Sequence, residues 1–221
     1  MRKRWVIAID GPSGVGKGTV ARAVAAALGY RHIDTGAMYR AVAWRAIRDR
    51  IDFDDERRLT ALAASVAIRA SDRVLEVDGV DVTTALRTPA IDRGAARVAR
   101  IAGVRAALVE QQRAMGAAGS VVMEGRDIGT VVFPAAEVKI YLDASAEERA
   151  RRRANDQAHN GAGDVTQVAN EMAARDESDR TRAVGPLAVA PDAHLVDTTG
   201  LTIDEVVARV LGIVERTQVN R

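Results

Sequence analysis

The chain has no cysteine, so disulfides, thiolate metal centres and thiol nucleophiles are excluded, and the composition suits a reducing cytoplasm. Its three histidines, His32, His159 and His194, are scattered without the spacing of a ligand set, and no direct metal site is expected from them. Long apolar runs are missing too. The basic start Met1-Arg-Lys-Arg4 is that of an export signal, but the apolar stretch Trp5–Ile9 ends after five residues at Asp10, too short for a signal core or a membrane span. Internal repeats, low-complexity tracts and long linkers are absent. Nor is there a surplus of one charge, since 32 basic residues face 30 acidic ones for a net charge of +2. Only Lys3, Lys17 and Lys139 of the basic residues are lysines, and the arginines alternate with acids, as in Arg175-Asp-Glu-Ser-Asp-Arg180. A nucleic-acid binder gathers its charge into one patch; this sequence does not, so neither nucleic acid nor membrane is an expected partner. At 221 residues the chain is long enough to bury one real core.

What is present is sharper. Directly after the apolar run stands Gly11-Pro-Ser-Gly-Val-Gly-Lys17-Gly-Thr19, the Gly-x4-Gly-Lys spacing of a phosphate-binding loop. Its backbone N–H groups converge on one concavity, the following helix N-terminus adds partial positive charge, and a lysine reaches the β- and γ-phosphates. Gly11, Pro12, Ser13, Gly14, Val15, Gly16, Lys17, Gly18 and Thr19 are therefore the expected ATP-binding residues, with Mg²⁺ carried on the triphosphate. The strict pattern places Ser or Thr directly after the lysine; here Gly18 stands there and Thr19 follows, a variant of small-molecule kinases. Val20, Val24 and Leu28 then repeat at helical spacing, and Gly29 stands where a C-terminal cap belongs.

Further along, Arg31–Ile33 reads as a short strand leading into Asp34-Thr-Gly36, with a helix following through Tyr39, Trp44, Ile47 and Ile51. The segment 66–82 switches to short apolar runs broken by Ser71-Asp72 and Asp78-Gly79, a small antiparallel β element. Helices are expected over 90–101 and 104–117, and buried strands over Ser120–Met123 and Val138–Leu142. Ser145 and Glu148 have the spacing of a capping box. Asn160–Gly163 is a tip between two charged helices, able to act as a lid, and Leu195-Val196 with an apolar helix after Thr202 closes the chain. Strands alternate with helices through short connections, which implies an α/β fold with a mainly parallel sheet, helices on both faces and ligands at the carboxyl ends of the strands. Glu124-Gly-Arg-Asp127 follows its own apolar strand, so it shares that sheet edge with the loop.

Five blocks carry a resemblance: Asp10-Gly-Pro-Ser-Gly-x-Gly-Lys-Gly-Thr19, Asp34-Thr-Gly-Ala-Met-Tyr-Arg40, Gly125-Arg-Asp-Ile-Gly-Thr-Val-Val-Phe-Pro134, Leu142-Asp-Ala-Ser-x-Glu-Glu-Arg149 and Arg175-Asp-x-x-Asp-Arg-x-Arg182. In that order, and nearly from end to end, the chain resembles the bacterial cytidylate kinases, the CMP/dCMP kinases. The resemblance implies a P-loop nucleotide kinase fold in one unit: a core of residues 1–34, 103–155 and 183–221, an acceptor-nucleotide region over 35–102 holding the β insertion, and a lid with its following helix over 156–182. It implies transfer of the ATP γ-phosphoryl to CMP or dCMP with Mg²⁺, by a cytoplasmic monomer. A kinase for UMP or a small hydroxy acid, and a P-loop regulator, are the alternatives.

Site roles follow from the resemblance and from charge. An anionic acceptor must be drawn against an anionic donor, and arginine suits this because its planar fork binds phosphate oxygens in pairs and keeps its proton. Arg40 and Arg126, with the Thr35 hydroxyl, match the family's acceptor-phosphate contacts. Lys17, Arg126 and Arg182 are the expected catalytic residues, and the lid-side Arg149 and Arg153 are expected near the phosphoryl group in flight. Asp127 and Arg105 match the cytosine contacts, Arg175 and Asp179 the acceptor sugar. Ala96 falls where a serine touching the base is expected. Arg126 beside Asp127 also permits the plainer reading of a salt bridge within a turn.

Overall fold

The computed structural model describes residues 4–70, 74–155 and 165–219, and the chain divides into two compact units, residues 1–32 with 118–221 and residues 33–117. The expected lid tip at 160–163 lies outside the described residues. No described helix is long and apolar enough to cross a membrane.

The first unit is built on a five-stranded sheet in the order β2-β6-β1-β7-β8, from β1 (Val6–Asp10), β2 (Arg31–Asp34), β6 (Val121–Glu124), β7 (Val138–Asp143) and β8 (His194–Asp197). β1 runs parallel to β6 and β7, and β7 parallel to β8. Parallel strands need both faces covered, and the sequence shows it: β6 is buried at every position and β7 at all but its last. Helix α1 (Lys17–Leu28) and helix α8 (Ile203–Val219) pack together over the sheet, where Val20, Val24, Val206, Val210 and Val214 join Ile7, Ile9, Val122, Ile140 and Leu142 in one apolar cluster. α1 ends as expected, with Gly29 left-handed at φ 65° and its N–H returned to the last turn. Two charged helices, α6 (Ala146–Ala154) and α7 (Val165–Thr181), follow β7. Ser145 caps α6 through Glu148 N–H, but the Glu148 carboxylate turns to Arg151 and Arg152, so only half of the capping box forms.

The second unit packs helices α2 (Thr35–Arg48), α3 (Glu56–Ser65), α4 (Pro89–Val98) and α5 (Ala102–Gly116) with an antiparallel sheet β3-β4-β5 (Ile68–Ala70, Leu75–Val77, Val80–Asp81). The β element expected over 66–82 is present, and its turn residue Asp78 is tied to Arg45 of α2. Met38, Val42, Leu59, Val77, Val98, Val104 and Leu108 form the core. Two expectations are corrected. α2 stops at Arg48, because Asp49 closes it and Arg50 turns left-handed at φ 51°, so Ile51 lies beyond the helix. α3, started by the Asp55 side chain on Arg58 N–H, was not among the expected helices.

Candidate active site

β1 delivers the chain to Asp10, and the glycine loop turns away from there. Gly11 sits at φ +150°, where a Cβ would lie 2.2 Å from the Leu142 carbonyl oxygen of β7; only glycine lets the backbone pass so close to the next strand. Gly16 then starts α1 in the left-handed region at φ 86°, and no side chain caps the first turn. A glycine at the cap supplies no side-chain acceptor of its own, which suits this helix start to an anion. Lys17 is buried, 7% exposed, and its Nζ donates to the Pro12 carbonyl at 2.6 Å. Burial and then the Arg126 charge push its pKa well below the usual lysine value, against the opposing pull of Glu124, Asp10 and Asp176.

Around this ammonium lies a set of long-range ion pairs. Glu124, at the end of β6, is hydrogen-bonded through Oε1 to Nε2 of His32 at 3.0 Å, both groups being buried. The same carboxylate closes over the loop, since a Cβ at Gly18 would stand 3.1 Å from its Oε1. Arg126 donates from Nε to Oδ2 of Asp179 at 3.0 Å. Arg182 meets Oδ1 of Asp179 at 3.2 Å and Oδ1 of Asp127 at 3.5 Å, and its Nε donates to the Gly185 carbonyl. Arg126 thus takes an ion partner from α7, at Asp179. Asp10 accepts from Ile128 N–H at 2.9 Å and Gly129 N–H at 2.8 Å, anchoring the π-helical turn Ile128–Val132 that follows Asp127. Burial raises the Asp10 carboxyl to about 6 despite those two donors, with Asp127 adding to the rise and Lys17 opposing it. Arg149 lies against the loop, its Nη1 donating to the Ser13 carbonyl at 3.0 Å and pairing with Asp176. Arg153 is half-buried on α6, and Arg175 half-buried on α7.

In the second unit, Asp34 caps α2 by accepting from Ala37 N–H at 3.0 Å and holds Arg40 at 2.7 Å, with Thr35 buried beside them. Arg105, on α5, is 1% exposed; its guanidinium stands 5.5 Å from the Tyr39 ring centre and donates to the Ala99 carbonyl at 3.4 Å. That face contact ties the Tyr39 ring to the Arg105 guanidinium. Ala96 is half-buried on α4.

The structure therefore gathers Lys17, Arg126, Asp127, Asp179 and Arg182 within the first unit and sets Thr35, Arg40 and Arg105 on α2 and α5 of the second. Three groups stand out that sequence reasoning did not assign: Asp10, Glu124 with His32, and Asp176. Asp10 and Asp176 lay inside two of the five blocks and Glu124 opened the stretch Glu124–Asp127, but nothing local marks a carboxylate whose partner is far away in the chain.

A glycine loop between the first strand and first helix of a parallel sheet, a buried lysine at its end and arginines held on carboxylates next to it define a P-loop phosphotransferase. The fold agrees: a solved shikimate kinase from Bacteroides thetaiotaomicron superposes with a TM-score of 0.50 at 13% identity, over 96% of this chain and 98% of its own. The chain belongs to the cytidylate kinase family, whose profile matches residues 7–216. It is 50% identical over 216 residues to the cytidylate kinase of Solibacter usitatus, spanning 96% of this chain and 93% of that protein. It is 49% identical over 220 residues to that of Desulforamulus reducens, spanning 98% and 99%.

Proposed function

We infer that the protein transfers the γ-phosphoryl group of ATP to CMP or dCMP, giving ADP and CDP or dCDP. The observation that carries this reading is Lys17, buried at the end of a glycine loop that opens into a helix without a side-chain cap, in a chain of the cytidylate kinase family.

In this reading the loop amides from Gly11 to Thr19 cradle the ATP phosphates, and Lys17 neutralises charge at the group being transferred. Arg126 and Arg40, with the Thr35 hydroxyl, bind the acceptor phosphate. Arg182 and Arg153 serve the phosphoryl group in flight. Asp127 accepts from the cytosine N4 donor with Arg105 reading the acceptor edge of the base, and Arg175 and Asp179 hold the sugar. The acceptor oxygen is already anionic, so no general base is assigned, and the protein contributes alignment and charge.

Mg²⁺ accompanies the triphosphate. The Glu124 carboxylate, whose Oε1 lies beside Gly18 of the loop, is a hard oxygen of the kind that fits this ion. The cation spreads the negative charge of the phosphate oxygens when bound. We place the enzyme in the cytoplasm, as a monomer acting on small nucleotides.

The test is ADP release measured over CMP, dCMP, UMP and AMP. Uracil sets an acceptor against Asp127 where cytosine sets a donor, so kcat/KM for CMP should exceed that for UMP by roughly tenfold or more. Equal rates with CMP, UMP and AMP would overturn the substrate assignment, and ADP release that ignores every added monophosphate would overturn phosphoryl transfer.

A further inference from the structure

The peptide unit of Ser13 is gripped on both sides. Its N–H donates to Oδ1 of Asp176 at 3.0 Å, and its carbonyl accepts from Nη1 of Arg149 at 3.0 Å. Arg149 and Asp176 are paired with each other, so the three groups close a ring, and Nε of Arg149 is fixed in turn on the Ala144 carbonyl at 3.2 Å. Asp176 is 1% exposed and the Arg149 side chain 11%. The grip extends one residue on. A Cβ at Gly14, which sits at φ +81°, would meet Cε of Met172 at 2.5 Å and the Arg149 carbonyl oxygen at 3.0 Å. Two helices that follow β7 thus fasten the mouth of the loop, α6 through Arg149 and α7 through Met172 and Asp176.

We propose that Asp176 and Arg149 are positioning residues for phosphoryl transfer, holding the first half of the glycine loop in the shape that receives the ATP phosphates. The proposal rests on the reading above that this loop binds ATP, and it gives Arg149 a different task from the direct approach to the phosphoryl group that the sequence suggested. A segment with glycine at positions 11, 14, 16 and 18 samples both signs of φ when unrestrained, so ordering it on binding consumes affinity. Asp176 and Arg149 remove that cost in advance by making the Ser13 peptide part of a buried ion-pair ring. A phosphate anion meets a preformed cradle. Asp176 also spends the Ser13 N–H, which leaves the later loop amides to the nucleotide. Three residues on, Asp179 of the same helix holds Arg126 and Arg182, so the acceptor parameters report whether α7 itself has shifted.

Two variants test this. Asp176→Asn keeps an acceptor but breaks the charge pairing, whereas Arg149→Met/Asp176→Leu removes both ions and leaves no buried charge unpaired. Both should raise KM for ATP and Kd for ADP about tenfold, with KM for CMP within about twofold of wild type and the preference for CMP over UMP intact. The double variant should melt near the wild-type temperature. Should its ATP and ADP parameters return to wild-type values along with its stability, the pair is only structural and the proposal falls. An equal rise of KM for both substrates has the same meaning, since it reports a displaced α7. If neither variant folds, amide exchange at Ser13 in the nucleotide-free wild-type protein decides: strong protection is expected, and exchange at the rate of an exposed loop overturns the proposal. ADP binding needs no acceptor, so these outcomes stay separate from a failure of the CMP assignment.

Discussion

Oδ2 of Asp179 accepts from Nε of Arg126 at 3.0 Å across 53 residues of sequence. The contact leaves the rest of the fork directed by a fixed carboxylate, since a guanidinium anchored at Nε presents its terminal nitrogens in one plane. Arg126→Ala should therefore raise KM for CMP by on the order of 10²-fold, the value of a charge-assisted contact, with KM for ATP little changed. Steady-state kinetics with each substrate varied in turn checks it; unchanged CMP parameters would remove Arg126 from the acceptor site.

Lys17 separates function from stability. Its pKa is depressed by burial and by Arg126, so the folded protein holds this cation at a cost relative to the unfolded chain at neutral pH. Lys17→Met should lower kcat by at least roughly 10²–10³-fold while leaving the melting temperature equal or higher. A variant that melts markedly lower contradicts the second half of this prediction.

Asp10 predicts a pH dependence of stability. Its folded pKa is raised from 3.8 to about 6, so between those values the folded state binds a proton that the unfolded state releases. The stability contributed is complete below the lower value and is lost as pH rises through the upper one. Asn at this position cannot ionise. The stability of Asp10→Asn relative to wild type should therefore climb between pH 5 and pH 7 by roughly 1 kcal/mol, whatever its absolute level. Urea denaturation at the two pH values measures it, and a flat or falling difference would refute the assignment.

Gly11→Ala should damage the protein more than any other single methyl in the loop. The added carbon would lie 2.2 Å from a backbone oxygen of β7, and a strand in the middle of a pairing ladder cannot give way. A loss of about 3 kcal/mol is expected, which lowers the melting temperature by on the order of 10 °C. Calorimetry of the purified variant is the check.

The phosphate loop, the buried strands β6 and β7 and the β insertion were legible because each rests on a local pattern: glycine spacing, a continuous apolar run, alternation broken by turns. α3 was not, since Glu56–Ser65 has only Leu59 and Ala63 buried and its short amphipathic face is easily overlooked. Ile51 continues the helical spacing of α2, but the helix is ended by a left-handed Arg50, a residue type that rarely announces such a turn. Within the site the residue types could be read and their pairing could not. Arg126 takes its carboxylate from a helix 53 positions away, and Glu124 meets His32 across 92. Those partnerships depend on β6 lying beside β1 and β2, an order of strands that no local stretch encodes.

One substitution-like feature of the loop can now be understood as half of a matched pair. A side chain at the position after the lysine would set its first carbon 3.1 Å from Oε1 of Glu124, so that the carboxylate must shift to admit it. Bulk omitted on the helix is occupied by the longer acid arriving from the neighbouring strand. Exchange of either partner alone should therefore be tolerated worse than exchange of both, and a designer wishing to restore serine at position 18 must first shorten the side chain at 124 to aspartate.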